Sequence, residues 1–239
     1  MNLDDQEVMM IARIVARLKG MSPEKKEEWF RKSMELFVES EAKCGLDLPG
    51  DLLGPWETFY RDLFDLDLDF SSLRIPEKKG GFDRLIIVAK GMTPDKLYAK
   101  CQELFTCWKY RNNLDSVTSD RDSNKMGTYA IWVRDRVEAD VELEGKSANM
   151  LAKEGVKGLT LPERLLYELK YFTETGLPVQ GQTGKHLDLK NITLCSGSRY
   201  PVGGVPGVFW YSGFGKMCVD WYDPDYRYDY LRARAAVTL

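Results

Sequence analysis

The sequence predicts an α+β fold: helices along most of the chain, then short strands and turns that build a small antiparallel sheet in the last third. Three observations carry that expectation. Apolar residues recur at helical spacing in the first third, as in Val8, Ile11, Val15 and Leu18. A short β-branched run, Leu85-Ile86-Ile87-Val88-Ala89, reads as a buried strand. After Gly176 the helical signals stop, and period-2 alternation takes over.

Taken in order, the first helix closes at Gly20, and Ser22-Pro23 then supplies an N-cap and first-turn proline for a second helix with Phe30, Met34 and Phe37 on one face. A third short helix follows Gly54-Pro55 and carries Trp56, Phe59, Tyr60 and Leu63. The break Glu77-Lys78-Lys79-Gly80-Gly81 ends this helical region, so residues 1–77 and 78–239 are expected to be separate parts of the chain. Thr93-Pro94 opens another helix, with Leu97, Cys101, Leu104 and Trp108 sharing a face. Residues 111–125, rich in Asn, Asp and Ser, read as a loop, and Tyr129 to Val133 as a strand ended by Arg134-Asp135-Arg136. Thr160-Leu161-Pro162-Glu163 is a capping box opening a helix through Leu165, Leu169 and Phe172 to Gly176.

The bulk composition bounds the function. The chain has 239 residues, 30% of them charged, with a net charge of −3. That balance gives no electrostatic reason to expect nucleic acid. No apolar run approaches the roughly 20 residues that span a bilayer, so no direct membrane insertion is expected. The start Met1-Asn2-Leu3-Asp4-Asp5 lacks the basic region of a signal peptide. The cytoplasm is therefore the default location, with surface display through a partner as the other route. The five cysteines (Cys44, Cys101, Cys107, Cys195, Cys218) are scattered, and the single histidine, His186, leaves no zinc set, so no metal and no cofactor is expected. Asp65-x-Asp67-x-Asp69 has the opening spacing of a calcium loop. Phe70 and Pro76 stand where that loop needs glycine and glutamate, so an acidic helix end is expected instead. His186 reads as a packing or surface histidine, and no phosphate-binding loop occurs. The sequon Asn191-Ile192-Thr193 falls in an expected strand.

The informative stretch is the C-terminal one. Six of the chain's 12 tyrosines lie between Tyr200 and Tyr230. In Gly207-Val208-Phe209-Trp210-Tyr211, alternation puts Val208 and Trp210 on one face and Gly207, Phe209 and Tyr211 on the other. In Met217-Cys218-Val219-Asp220-Trp221-Tyr222, Met217, Val219 and Trp221 share the apolar face, and Cys218, Asp220 and Tyr222 the second. Ser212 to Lys216 is expected to turn a hairpin between them. Tyr226, Tyr228 and Tyr230 repeat the alternation. The second face holds Gly, Phe, Tyr, Ser, Cys and Asp, a set chosen neither for burial nor for solvation. Tyrosine with small adaptable residues on a rigid scaffold is the vocabulary of a binding surface. The alternative is a sheet with an aromatic, half-buried outer face. One further pattern favours display. Substituting the adenines of an Asn codon cannot yield Met, Trp, Lys, Gln or Glu. After Cys195 the only such residues are Trp210, Lys216, Met217 and Trp221, at framework or turn positions.

From about Asp83 onward the chain resembles the variable proteins of diversity-generating retroelements, of the archaeal and candidate-phylum type. The likeness rests on Asp83 to Val88, Cys107-Trp108-Lys109-Tyr110, Tyr129 to Asp140, Leu166 to Phe172, Thr175-Gly176 and Gly184 to Asp188 across an insertion near 177–183, Asn191 to Arg199, and Leu231 to Val237. The resemblance implies a C-type lectin fold that binds a ligand without catalysis and displays residues varied by adenine-directed reverse transcription. The varied segment would be residues 195–239. Carried over by position, the displayed residues would be Tyr200, Gly207, Phe209, Tyr211, Ser212, Phe214, Cys218, Asp220, Tyr222, Asp223, Tyr226, Tyr228 and Tyr230. Trp210, Trp221, Arg227, Arg232 and Arg234 would be scaffold. The ligand would be a macromolecule, a protein on another cell or a virus. The calcium motifs of sugar-binding lectins are absent, and Trp221-Tyr222-Asp223-Pro224-Asp225 does not replace them. The competing expectation is an enzyme resembling formylglycine-generating enzymes, with Cys195 or Cys218 as the reactive thiol.

Overall fold

The structure, a computed structural model, describes residue 22 and residues 51–176 and 183–239. The expected helices of residues 8–18 and 23–37, Cys44, and most of the expected insertion at 177–183 lie outside the described residues. The chain divides into two compact units, Met1–Leu68 and Asp69–Leu239. Within the first, helix α1 (Gly54–Phe64) has Pro55 in its first turn and buries Trp56, Phe59 and Tyr60. Asp65 closes it in a left-handed conformation (φ 56°), so the acidic run does begin at a helix end.

The second unit is α+β. Its elements are β1 (Arg84–Val88), α2 (Pro94–Leu104), β2 (Cys107–Lys109), β3 (Thr118–Ser119), α3 (Ser123–Met126), β4 (Tyr129–Val133), a 3₁₀ turn (Val141–Leu143), α4 (Ala148–Lys153), α5 (Leu161–Thr175), β5 (Ile192–Leu194), β6 (Ser198–Arg199), β7 (Val205–Tyr211), β8 (Lys216–Tyr222) and β9 (Leu231–Ala233). Residues before β1 belong with this unit: the Trp132 indole N–H donates to the Pro76 carbonyl at 2.9 Å.

Three sequence expectations are corrected here. The helix after Thr93-Pro94 stops at Leu104, because Phe105 turns extended (φ −155°, ψ 165°). Trp108 therefore lies on strand β2 and not on the helix face. The polar stretch 111–125 contains β3 and the start of α3. Asp95 organises its first part, its Oδ2 accepting the Leu114 and Asp115 amides at 2.9 and 3.1 Å. Third, the main sheet is mixed. Its order is β2-β8-β7-β5-β9, with antiparallel β8-β7-β5 at the centre and parallel pairs at both edges, β2 with β8 and β5 with β9. A separate two-stranded sheet pairs β1 with β4.

Helix α5 is the central element, in contact with α2, β1 and β7. Its capping box forms as the sequence predicts: the Thr160 side chain accepts from the Glu163 amide, and Glu163 accepts from the Thr160 amide. Every residue from Leu161 to Lys170 is buried, charged ones included. Burying ions is costly unless each is paired, and these are. Glu163 takes two hydrogen bonds from Arg121, at 2.6 and 2.7 Å, and one from the Tyr129 hydroxyl at 3.0 Å. Arg164 donates to Glu168 at 2.8 Å and to Asp188 at 3.0 Å. Asp188 also accepts from Arg234 at 2.7 Å and from the Thr193 hydroxyl. This lattice ties α5 to β5 and to the chain beyond β9. The backbone of Asp188 is itself left-handed (φ 55°), a conformation that Asp tolerates better than most residues.

Candidate binding surface

Antiparallel pairing places residues opposite each other on the same side of the sheet. The β7–β8 register sets Val208 against Val219, Trp210 against Met217, and Pro206 against Trp221. This is the apolar side that alternation predicts. Val208, Met217 and Val219 are completely buried. Trp210 lies flat on the His186 ring, with centroids 3.4 Å apart and planes at 5°. Phe105 meets Trp210 edge-on, and Phe172 tilts against His186. The Nδ1 of His186 is 2.9 Å from Glu168, which joins this aromatic layer to the ion lattice of α5. His186 is thus a packing residue, as the sequence suggests.

The opposite side pairs Val205 with Tyr222, Gly207 with Asp220, Phe209 with Cys218, and Tyr211 with Lys216. Its two ends differ. At the Val205 end the sheet is covered: Ala148 of α4, Leu194, Val205 and Leu231 form a buried cluster, with Ile192 and Tyr222 packed on it. At the hairpin end it is open. Tyr211, Ser212 and Phe214 are exposed, and Tyr211 meets the Phe214 ring edge-on at 4.8 Å. Gly215, at φ 57°, lets the chain reverse there.

The thirteen residues expected to be displayed therefore fall into three groups. Tyr211, Ser212, Phe214, Tyr226, Tyr228 and Tyr230 are exposed, and Phe209, Asp220, Tyr222 and Asp223 are half-buried. Tyr200, Gly207 and Cys218 are buried, which corrects the expectation for them. Tyr200 is 2% exposed, with its hydroxyl 3.4 Å from the Asp220 carbonyl, and burial raises its pKa. It packs as a core side chain at the foot of a tight turn closed by the Tyr200 and Gly204 backbone. Gly207 lies under the Tyr222 ring, where an added Cβ would sit 2.4 Å from a ring carbon. Cys218 is 3% exposed because its neighbours across both strand pairings, Phe209 and Trp108, are large and it is small.

Residues 223–230 form no strand, which corrects the alternation seen at Tyr226, Tyr228 and Tyr230. Asp223-Pro224 starts a turn, with the Tyr226 amide donating to the Asp223 carbonyl. The loop is nevertheless fixed. Asn149 donates its amide to the Pro224 carbonyl at 3.1 Å and its side chain to Asp225 at 2.8 Å. Arg227 reaches the Gly145 carbonyl, and the Ile192 amide donates to the Tyr230 carbonyl at 2.8 Å. None of these bonds uses a tyrosine side chain. The tyrosine rings meet each other: Tyr228 and Tyr230 are stacked, with centroids 5.3 Å apart and planes at 4°, and Tyr226 stands edge-on to Tyr228 at 5.5 Å.

The sequence did not place Trp108 or Lys216 on this surface. Parallel pairing sets Trp108 beside Cys218, with its indole 41% exposed. The Lys216 ammonium lies 5.9 Å from the Trp108 centroid and 5.3 Å from that of Phe214. No local pattern marks this, since the contact joins distant parts of the chain.

As for thiol chemistry, burial pushes Cys195 far above the usual range and Cys218 upward as well. Both thiols are thereby held protonated at neutral pH, the opposite of an activated nucleophile. Comparisons of the chain with protein-family models, with curated proteins and with solved structures find no match.

Proposed function

We propose that this chain is a ligand-binding variable protein of the diversity-generating retroelement kind, with a C-type lectin-like scaffold and no catalytic role. One observation carries the reading. The loop bearing Tyr226, Tyr228 and Tyr230 is tied to the scaffold by hydrogen bonds that none of their side chains makes. Such a loop keeps its path when those side chains change, which is what a diversified site requires. The hairpin residues Tyr211, Ser212 and Phe214 are exposed as well, at the opposite end of β7 and β8 from that loop. The partner on this reading is a macromolecule, a protein on another cell or a virus, met by rigid aromatic side chains.

The test is the DNA beside the gene. A near-copy of the 3′ coding end is expected next to a reverse transcriptase gene, differing almost only where the copy has adenine. The differences should fall at codons for the exposed positions and spare Val208, Trp210 and Val219. If neither the copy nor the reverse transcriptase gene is present, diversification is overturned.

A further inference from the structure

We infer that the tyrosine ladder of residues 223–230 receives a partner polypeptide through its arginine or lysine side chains. The inference rests on the reading of this surface as a ligand site and names the chemistry of the ligand. Its starting point is the ladder itself: Tyr226, Tyr228 and Tyr230 are each close to half exposed, and their rings face one another and solvent. A tyrosine face carries the negative part of its quadrupole and attracts a cation placed over it. An arginine guanidinium can also stack flat on such a ring.

The charges around the ladder select the same ligand. Asp223, Asp225 and Asp229 lie on the loop with the rings, and Asp220 lies near Tyr222 on the adjoining strand. Among the described residues none of these four carboxylates takes part in an ion pair. The neighbouring acids are already matched, Glu144 with Arg232 and Glu154 with Lys146. The loop's one cation, Arg227, is turned back to the Gly145 carbonyl. The ladder thus presents aromatic faces among unmatched negative charge, on a backbone that is already ordered. Little loop entropy remains to be lost on binding. An anionic partner would meet repulsion here, and a purely apolar one would leave the carboxylates partly desolvated without counter-charges.

The experiment uses the full chain and a fluorescein-labelled octa-arginine peptide, followed by anisotropy at about 50 mM and about 300 mM salt. Octa-lysine, octa-glutamate and free spermine are the comparison probes. Saturable binding of octa-arginine and octa-lysine, with octa-glutamate unbound, is expected. Tyr228→Ala should weaken it about fivefold, and Asp225→Asn with Asp229→Asn by a similar factor. Glu77→Gln, an exposed charge beside Pro76 near the other sheet, should leave it unchanged. Because Tyr228 is 48% exposed, its loss is compatible with folding. Three results would overturn the inference: no binding, equal weakening by Glu77→Gln and Tyr228→Ala, or spermine binding as tightly as the peptides. A failure here alongside a detected template copy removes only the cationic ligand. The reverse combination removes diversification and keeps the cation surface.

Discussion

The ion lattice around helix α5 and the tyrosine loop between β8 and β9 are built on opposite rules. In the lattice, each of Arg164, Asp188, Glu168 and Arg234 has several partners, and each side chain is required by another. In the loop, the backbone is held by Asn149, Arg227 and the Ile192 amide, and among the described residues the rings of Tyr226, Tyr228 and Tyr230 stack on one another without a side-chain hydrogen bond to the scaffold. The first region fixes where the chain runs and leaves little freedom of residue. The second inherits the path and leaves residue identity free. A fold that separates these two tasks can change its surface without remaking its core.

The largest expected effect is at the lattice. Asp188→Ala strands Arg164 and Arg234, both buried, and should cost about 3–5 kcal/mol in chemical denaturation. A loss below about 1 kcal/mol would mean that water or neighbouring carbonyls replace the carboxylate, and the contrast between the two regions would weaken. Next comes a direct comparison of two tyrosines. Tyr200→Ala should cost about 3 kcal/mol, whereas Tyr228→Ala should stay within about 0.5 kcal/mol. Equal losses would show that the loop side chains hold the fold after all. The smallest effect is chemical. Cys218 is 3% exposed and its burial raises the thiol pKa, so native protein at pH 8 should be alkylated there more slowly than urea-unfolded chain. The rate should climb as pH rises through that value. Labelling of Cys218 as fast as in the unfolded chain, followed by peptide mass mapping, would revive the reactive-thiol alternative.

How much of this was legible beforehand follows from the range of each interaction. The capping box at Thr160 and the two faces of β7 and β8 are local, and period and cap chemistry reveal them. The burial of Tyr200, Gly207 and Cys218 is not local. It depends on Asp220, the Tyr222 ring, Phe209 and Trp108, brought there by strand pairing. The two parallel pairs were invisible for the same reason, because Trp108 and Cys218 stand far apart in the sequence. The alternation at Tyr226, Tyr228 and Tyr230 looked like a strand because it has strand period, but Asp223 and Pro224 just before it carry turn chemistry. Periodicity reported which residues face the same way without reporting what their backbone bonds to.

The position of Trp108 has a consequence for any collection of such surfaces. It stands beside Cys218 but outside residues 195–239, so every variant made by rewriting that segment would inherit the same indole at its margin. Unrelated partners would then meet one constant neighbour, and variants with nothing else in common should share a mild cross-reactivity toward flat or cationic groups placed at that edge.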